Sequence, residues 1–453
     1  MYDFSGKRVL VVGMARSGIG AAQMLKMLGA FPVLNDTKSR EQFGEKLNEL
    51  NGIELEWHLG EDPCTVLDTC DALVISPGVP IDSKIVLHAR ATGKYMIGEM
   101  ELACQHLPGL LCAVTGTNGK TTTVTLLREI FEQSGKQAFA AGNIGYPITM
   151  AAMQADEESV TVAEVSSFQL ESIDTFHPFA AAVLNVTEDH LIRHYTMDTY
   201  ISLKRDVFKN QTASDVAVLN FDDEITRKMA EGLPSRVAFF SRKTEPAQGA
   251  FVRNGMVCIR WNGQEEEIIP AGEIYIPGPH NLENALAASM LAYVCGVKKE
   301  VIAQTLRTFR GVEHRIEYVR ELDGVTYYND SKGTNADSTV KAVDTMTKPT
   351  ILLLGGYDKH VSFKGLAEHI QASPQIIHCV LLGVTKPQLD RELREAGFER
   401  ISYADTFRQA VEMAKDRAKP GENVLLSPAC ASFDMFADFE ERGRVFKDIV
   451  NHF

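Results

Sequence analysis

The sequence predicts an α/β protein of three domains, and three observations carry that prediction. First, 453 residues divide into about three domains of ordinary size. Second, apolar runs such as Val9-Leu10-Val11-Val12, Ala72-Leu73-Val74-Ile75 and Ala181-Ala182-Val183-Leu184 alternate with helical periodicity, the pattern of parallel strands covered on both faces. Third, glycine-rich or polar segments follow several of these runs directly, where a doubly wound sheet presents its loops to ligands. With 45% hydrophobic and 23% charged residues, each domain has apolar material for its own core.

Residues 1–98 form the first domain. The strand Arg8–Val12 leads into Gly13-Met14-Ala15-Arg16-Ser17-Gly18 and a helix carrying Ile19, Met24, Leu25 and Leu28. Phe31-Pro32-Val33-Leu34-Asn35 is the next strand, ending at Asp36, and the strand Ala72–Ile75 runs into Ser76-Pro77-Gly78. A glycine loop with an acid about twenty residues on has the outline of a dinucleotide fingerprint, but Ala15 replaces the middle glycine and would crowd a pyrophosphate. A nicotinamide cofactor is therefore disfavoured. A different nucleotide in the same crevice and a loop that binds nothing both stay open.

The central domain, 99–311, opens with the apolar run Leu110–Val114 and then Gly116-Thr117-Asn118-Gly119-Lys120-Thr121-Thr122-Thr123. A strand that turns through glycines into a helix beginning at Lys120 makes a polyphosphate cradle. Backbone N–H groups face the anion, the helix N-terminus adds partial positive charge, Lys120 adds a full one, and the Thr121 hydroxyl can hold Mg²⁺. The first glycine of the full GxxxxGK[ST] pattern would be residue 114, where Val114 stands, so an ordinary strand-to-helix turn competes with this reading. Strands at Ser159–Val165, Ala181–Asn185 and Val216–Asn220 follow. Glu164 sets a carboxylate at the end of a buried strand, where a metal or a cation must offset its desolvation. Asn185-Val186-Thr187-Glu188-Asp189-His190 adds a second polar cluster, and neighbouring strand ends converge on the Lys120 loop. Taken singly, a capped turn or a structural histidine accounts for each.

Turn-rich short strands are expected over 236–276, an Ala-rich helix after Asn281, and a hinge near Gly311-Val312 into the third domain, 312–453. There Asp323-Gly324 suits a type I′ turn between Glu317–Leu322 and Val325–Tyr328, and strands at 350–354, 379–383 and 423–427 alternate with helices.

Composition excludes other classes. A net charge of −14 without clustered Lys and Arg argues against nucleic acid as a partner, while an anion can still be bound locally by metal ions and a few placed cations. Eight cysteines without CxxC pairs read as reduced core residues, not as a disulfide or zinc framework. The start Met1-Tyr2-Asp3-Phe4-Ser5 has no basic-then-apolar leader, and no window nears the roughly 18 apolar residues of a membrane span, so a cytoplasmic protein without membrane partners is expected.

Over essentially its whole length the chain resembles the Mur ligase family, ATP-dependent amide-forming enzymes of peptidoglycan precursor synthesis. The motifs are Gly116 to Thr121, Gly142-Asn143-Ile144-Gly145, Glu164 to Glu171, Asn185 to His190, His280-Asn281-Leu282-Glu283-Asn284-Ala285, Glu313-His314-Arg315 and Asn329-Asp330-Ser331-Lys332-Gly333-Thr334-Asn335. The N-terminal glycine loop, and Ser427 to Phe436 followed by Phe439-Glu440-Glu441-Arg442-Gly443, resemble the glutamate-adding member; the Asp-Asn-Pro-Arg motif of the diaminopimelate-adding sibling is absent. The resemblance implies a Rossmann-like N-terminal domain, a P-loop ATPase-like centre and a Rossmann-like C-terminal domain. It implies the substrates UDP-N-acetylmuramoyl-L-alanine and D-glutamate, with ATP and Mg²⁺; a monomer is expected.

Roles carry over by resemblance. Ser17, Asp36, Thr37, Lys38, Ser76, Gly78 and, in the central domain, Asn143 would hold the UDP substrate. Gly116, Thr117, Asn118, Gly119, Lys120, Thr121 and Thr122 would take the ATP phosphates, Asn284 the base, Arg315 the γ-phosphate and Asp330 the ribose, between domains two and three. Thr121 and Glu164 would serve one Mg²⁺ and His190 a second, with Lys204 carbamoylated into a metal-binding carboxylate; from the residues alone Lys204 is a helix lysine. Lys332, Thr334, Lys359, Ser432 and Phe439 would receive D-glutamate, and Lys120, His190, Lys204 and Lys332 would be the catalytic groups. The implied chemistry is phosphorylation of the alanyl carboxylate to an acyl phosphate, then displacement by the amine, with no covalent enzyme nucleophile. Three positions depart from the family pattern: Ala15 where glycine is usual, Lys38 where arginine is common, and Ile192 where an acid often stands. Two rivals keep the cradle: a folylpolyglutamate synthase, against which the Gly13 to Gly18 domain argues, and a non-ligating P-loop ATPase or switch.

Overall fold

The computed structural model describes residues 2–359 and 361–453. It is α/β throughout, with three sheets, and the chain divides into two compact units: 1–274 with 283–308, and 275–282 with 309–453. The chain therefore passes from one unit to the other three times, the last time between Thr308 and Phe309.

The first unit holds two sheets. Strands β1 (Arg8–Val12), β2 (Phe31–Asn35), β3 (Glu56–Trp57), β4 (Ala72–Ile75) and β5 (Tyr95–Gly98) pair in parallel in the order β3-β2-β1-β4-β5. Val9, Leu10 and Val11 are fully buried, as expected of a central strand covered by helices on both faces. The chain leaves β1 toward β2 on one side and returns to β4 on the other, so the loop after β1 opens at a topological switch point.

The second sheet comprises β6 (Leu110–Thr115), β7 (Ala138–Gly142), β8 (Val160–Glu164), β9 (Ala180–Val183), β10 (Val216–Asn220), β11 (Arg236–Ser241), β12 (Gly249–Arg253), β13 (Met256–Trp261) and β14 (Gln264–Pro270). Its order is β14-β13-β12-β11-β10-β9-β6-β8-β7, parallel from β7 through β12 and antiparallel in the last two pairs. β6 lies between β8 and β9, a second switch point, which sets the Gly116–Lys120 loop between the ends of those strands. One hydrophobic core runs from Val9 and Met24 through Ala151 and Val165 to Leu219, so helices Arg16–Met27, Glu99–Cys104 and Ile148–Ala152 pack the two sheets into one body.

The second unit is built on β15 (Glu317–Leu322), β16 (Val325–Asn329), β17 (Thr350–Leu354), β18 (Ile376–Leu381), β19 (Ile401–Tyr403) and β20 (Asn423–Leu426), in the order β15-β16-β20-β17-β18-β19, antiparallel only at β15–β16. Two apolar clusters cover its faces, around Leu352 and Phe363 on one and Leu353 and Phe446 on the other. The expected Asp-Gly turn is present: Leu322 faces Val325, and Asp323 and Gly324 both have positive φ, 51° and 77°, as type I′ requires.

Some boundaries move. The strand expected to reach Asn185 ends at Val183, because Asn185 leaves the ladder to bind the Asn118 backbone. The strand expected at 379–383 spans Ile376–Leu381, and the helix expected after Asn281 begins at Pro279, a residue suited to a first helical position. The eight cysteines are free thiols, six of them buried. No helix is long and apolar enough to cross a membrane among the described residues.

Candidate active site

The loop after β6 closes at Gly119, whose φ of 86° lies in the left-handed region; a Cβ there would stand 2.3 Å from Asn284 Oδ1. Glycine alone fits. The helix Lys120–Gln133 starts at the expected lysine, and its first turn carries buried Thr121, Thr122 and Thr123. Asn185 clamps the loop from the β9 side: its Oδ1 accepts from Asn118 N at 2.8 Å and its amide donates to Asn118 O at 3.1 Å. Thr117 Oγ1 donates to Thr187 O and hydrogen-bonds with Tyr200 Oη at 3.2 Å.

Two lysines converge on this loop. Lys120 Nζ donates to Gly116 O and Thr117 O, and Lys204 Nζ to the same Gly116 O, each at 2.9 Å. Lys204, on helix Met197–Arg205, is 2% exposed, with its ammonium over the Tyr200 ring. Burial pushes its pKa far below the ordinary lysine value, and the charge on Lys120 pushes the same way. On the β8 side, buried Glu164 accepts from Asn143 Nδ2 at 2.8 Å through Oε1, whereas Oε2 is buried with no hydrogen-bond partner. A buried carboxylate oxygen left without a hydrogen-bond partner among the described residues, at the end of a strand that flanks the loop strand, is the kind of oxygen a cation satisfies.

The structure brings Thr117, Asn118, Lys120, Lys204 and Asn284 together at the cradle and joins Asn143 to Glu164. His190 adopts φ 55°, packs on the Phe168 ring at 4.8 Å and lies beside Asp189. Its neighbour Ile192 is 99% exposed, so the departure at that position leaves an apolar side chain in water. Glu171 is buried against Arg193 and His194 instead of facing the loop.

At the first switch point Asp36 and Ser76 converge on the loop after β1. Asp36 Oδ2 accepts from Met14 N at 2.7 Å, and Ser76 Oγ donates to Gly13 O at 2.6 Å. Ser17 is half-buried, while Thr37, Lys38 and Gly78 are exposed at the crevice. Ala15 caps helix Arg16–Met27 with extended backbone and no side-chain hydrogen bond. Arg16 crosses to the central domain, donating to Gly145 O at 3.2 Å, next to the turn that carries Asn143.

In the second unit, the loop after β16 holds Asp330, 4% exposed, whose Oδ2 accepts from Ser427 Oγ at 2.7 Å and whose carboxyl burial pushes up to about 7. Arg315, whose charge pulls that value back, follows strained His314. Lys332 lies over the Phe439 ring at 5.4 Å, and Lys359 Nζ reaches Thr334 O at 3.5 Å. Ser432 is buried on the loop after β20.

Sequence reasoning assigned no part to Ser331, Ser427, Tyr200 or Arg442. For Arg442 a signal existed: it falls on the buried stripe of helix Phe439–Asn451 with Phe446, Ile449 and Val450, a place where a charged residue needs a reason.

Family models match the chain along most of its length: a Mur ligase MurD-like N-terminal domain over residues 7–98, a Mur ligase middle domain over 114–292 and a Mur ligase glutamate ligase domain over 314–430. The UDP-N-acetylmuramoylalanine–D-glutamate ligase of Thermoanaerobacter sp. (strain X514) is 44% identical over 451 residues, 99% of each chain. That of Clostridioides difficile (strain 630) is 44% identical over 452 residues, again 99% of each. Among solved structures, UDP-N-acetylmuramate-alanine ligase MurC from Thermotoga maritima aligns with a TM-score of 0.63 at 16% identity, over 98% of this chain and 99% of that one. MurF from Acinetobacter baumannii aligns at 0.62 and 15%, over 99% and 92%. At such identity the two structures speak to the fold.

Proposed function

We propose, from the premise that this chain belongs to the Mur ligase family, a reaction for each part of the site. The protein is an ATP-dependent ligase that adds D-glutamate to UDP-N-acetylmuramoyl-L-alanine in peptidoglycan precursor synthesis. The observation that carries this is identity of 44% over 99% of the chain with relatives named for that activity, together with the glycine-turned loop and Lys120 at a switch point. The three domains are drawn at 1–98 for the UDP substrate, 99–311 for ATP and 312–453 for the amino acid.

Ser17, Asp36, Thr37, Lys38, Ser76 and Gly78 receive the UDP moiety, with Asn143 at the central domain. Asp36 and Ser76 already bond the loop backbone, so their first task is to shape it; hydroxyl and amide groups left over meet the ligand. Gly116 to Thr122 cradle the phosphates, Lys120 turning from its backbone carbonyls to the anion, and Asn284 lies near the base. In the second unit Arg315 meets the γ-phosphate, Asp330 the ribose hydroxyls, and Lys332, Thr334, Lys359, Ser432 and Phe439 the D-glutamate.

The chemistry of these residues fits Mg²⁺: Glu164 Oε2 has no hydrogen-bond partner among the described residues, and Thr121, His190 and a carbamoylated Lys204 would supply further oxygen and nitrogen ligands. Bound there, the metal offsets charge on the transferred phosphoryl group. Burial favours the neutral amine of Lys204 over its charged form, and the neutral amine is the form that would add to carbon dioxide, giving a carbamate and a proton. The alanyl carboxylate attacks the γ-phosphorus in line, releasing ADP and forming an acyl phosphate while Lys120 and Arg315 stabilise the phosphoryl oxygens. The D-glutamate amine, having lost a proton, then attacks the acyl carbon; the tetrahedral intermediate expels phosphate, the nitrogen gives up a second proton to phosphate or solvent, and the amide remains. His190 and Lys332 act on the reacting groups by position and charge. We place the enzyme in the cytoplasm as a monomer.

Phosphate release measured with each substrate omitted in turn tests the reading. Release is expected only when ATP, the UDP acceptor and D-glutamate are all supplied, with ¹⁸O from the acceptor carboxylate appearing in the phosphate. Comparable turnover on ATP alone points to a switch or plain ATPase instead.

A further inference from the structure

Arg442 is 1% exposed, in the first turn of helix Phe439–Asn451. Its Nε donates to Ser331 Oγ at 2.9 Å, its Nη2 to Ser331 O at 2.8 Å and Cys430 O at 3.1 Å, and its Nη1 to Ala431 O at 3.3 Å. Every acceptor is uncharged, three carbonyls and one hydroxyl, and the side chain has no ion pair among the described residues. Ser331 Oγ passes the connection on, donating to Phe439 O at 2.8 Å. One guanidinium thus ties together three segments: the loop of Lys332 and Thr334, the loop of Ser432, and the backbone of Phe439.

A buried cation held by neutral acceptors is expensive: desolvation lowers the Arg442 pKa to about 10 against the opposing pull of the Asp434 and Asp330 carboxyls, and it still carries its charge at neutral pH. A brace between loops could be built from neutral groups. A retained positive charge bonded to the loops that carry Lys332, Thr334 and Ser432 is complementary to an acidic ligand, and lysine could not reproduce the planar fork.

We propose that Arg442 is a positioning residue for the amino-acid substrate: it fixes the separation of the Lys332–Thr334 and Ser432 loops and gives their pocket a standing positive charge that favours a dicarboxylate. The inference rests on the reading of those loops as the D-glutamate site. Steady-state kinetics of full-length Arg442→Gln and Arg442→Lys, with each substrate varied in turn, test it. Arg442→Gln is expected to raise the KM for D-glutamate by about tenfold or more while the KM values for ATP and the UDP acceptor stay within about twofold, with Arg442→Lys between it and the parent. A lowered kcat at unchanged D-glutamate KM, an equal rise in all three KM values, or a lysine variant no better than glutamine would mark Arg442 as a structural brace and overturn the proposal. If Arg442→Gln fails to fold, Arg442→Lys decides: a D-glutamate KM raised by about threefold or more supports it, and an unchanged one overturns it. Failure of the underlying reading looks different, since the parent enzyme would then turn over without D-glutamate.

Discussion

Gly116 offers one carbonyl to two lysine side chains, and that sharing shows how the cradle's amines are held before an anion arrives. Lys120 gains little from folding through such bonds, so Lys120→Ala is expected to leave the melting temperature within a few degrees while lowering kcat by about a hundredfold or more; near-normal turnover would count against the assignment. Glu164→Gln keeps an oxygen for Asn143 but removes the charge, and the Mg²⁺ concentration for half-maximal activity should rise by about tenfold in a metal titration. Glu99 gives a pH prediction. Burial pushes its carboxyl up to about 7, against hydrogen bonds from Thr149 N and Oγ1 that pull it down. The folded state therefore keeps a proton that the unfolded chain releases near 4.5, so this group's support for folding is complete below about 4.5 and is lost as pH rises through about 7. Glu99→Gln should flatten the decline of stability between about pH 4.5 and 7.5 by up to about 3 kcal/mol, read from denaturant midpoints; an unchanged slope would refute it. The glycines, Lys120 and Glu164 were legible as types because their chemistry is local. Ser331, Ser427 and Arg442 were not, since their partners lie about a hundred residues away in the chain.

Elements were legible in proportion to their burial. The central strands β1, β4, β6, β10, β17 and β20 announce themselves as apolar runs because helices cover both faces. The strands that the pattern did not single out, β3, β5, β7 and β19, are all sheet edges: Glu56-Trp57 has two residues, and Ala138-Phe139-Ala140-Ala141-Gly142 has small side chains and no alternation. Hairpin β15–β16 was legible without burial, because Asp323-Gly324 encodes its own turn. The passage from β6 into helix Lys120–Gln133 is the element most exposed to mutation. Gly119→Ala would strain a left-handed residue and drive a methyl group to 2.3 Å from Asn284 Oδ1, and it is expected to weaken ATP binding by about tenfold or more in a competition assay while thermal stability falls by about 1–2 kcal/mol.

At the scale of the whole molecule the doubly wound plan and its switch points followed from strand-then-helix rhythm, whereas the grouping into two units did not. The core that joins the first two sheets forms where helices Arg16–Met27, Glu99–Cys104 and Ile148–Ala152 meet, and no local pattern announces that partnership. Calorimetry of the intact chain should resolve two unfolding transitions, one per unit, and Mg²⁺ with ATP should raise at least one of them; a single two-state peak would contradict the division. The second unit also borrows residues 275–282 from upstream of the final crossing at Thr308–Phe309. A ribosome emits that octet before the strands it belongs with, so the carboxyl-terminal body cannot be completed until chain made after Thr308 meets a piece made before Glu283. Cutting the chain after Thr308 would therefore yield a tail that lacks one of its own pieces, not a self-sufficient module.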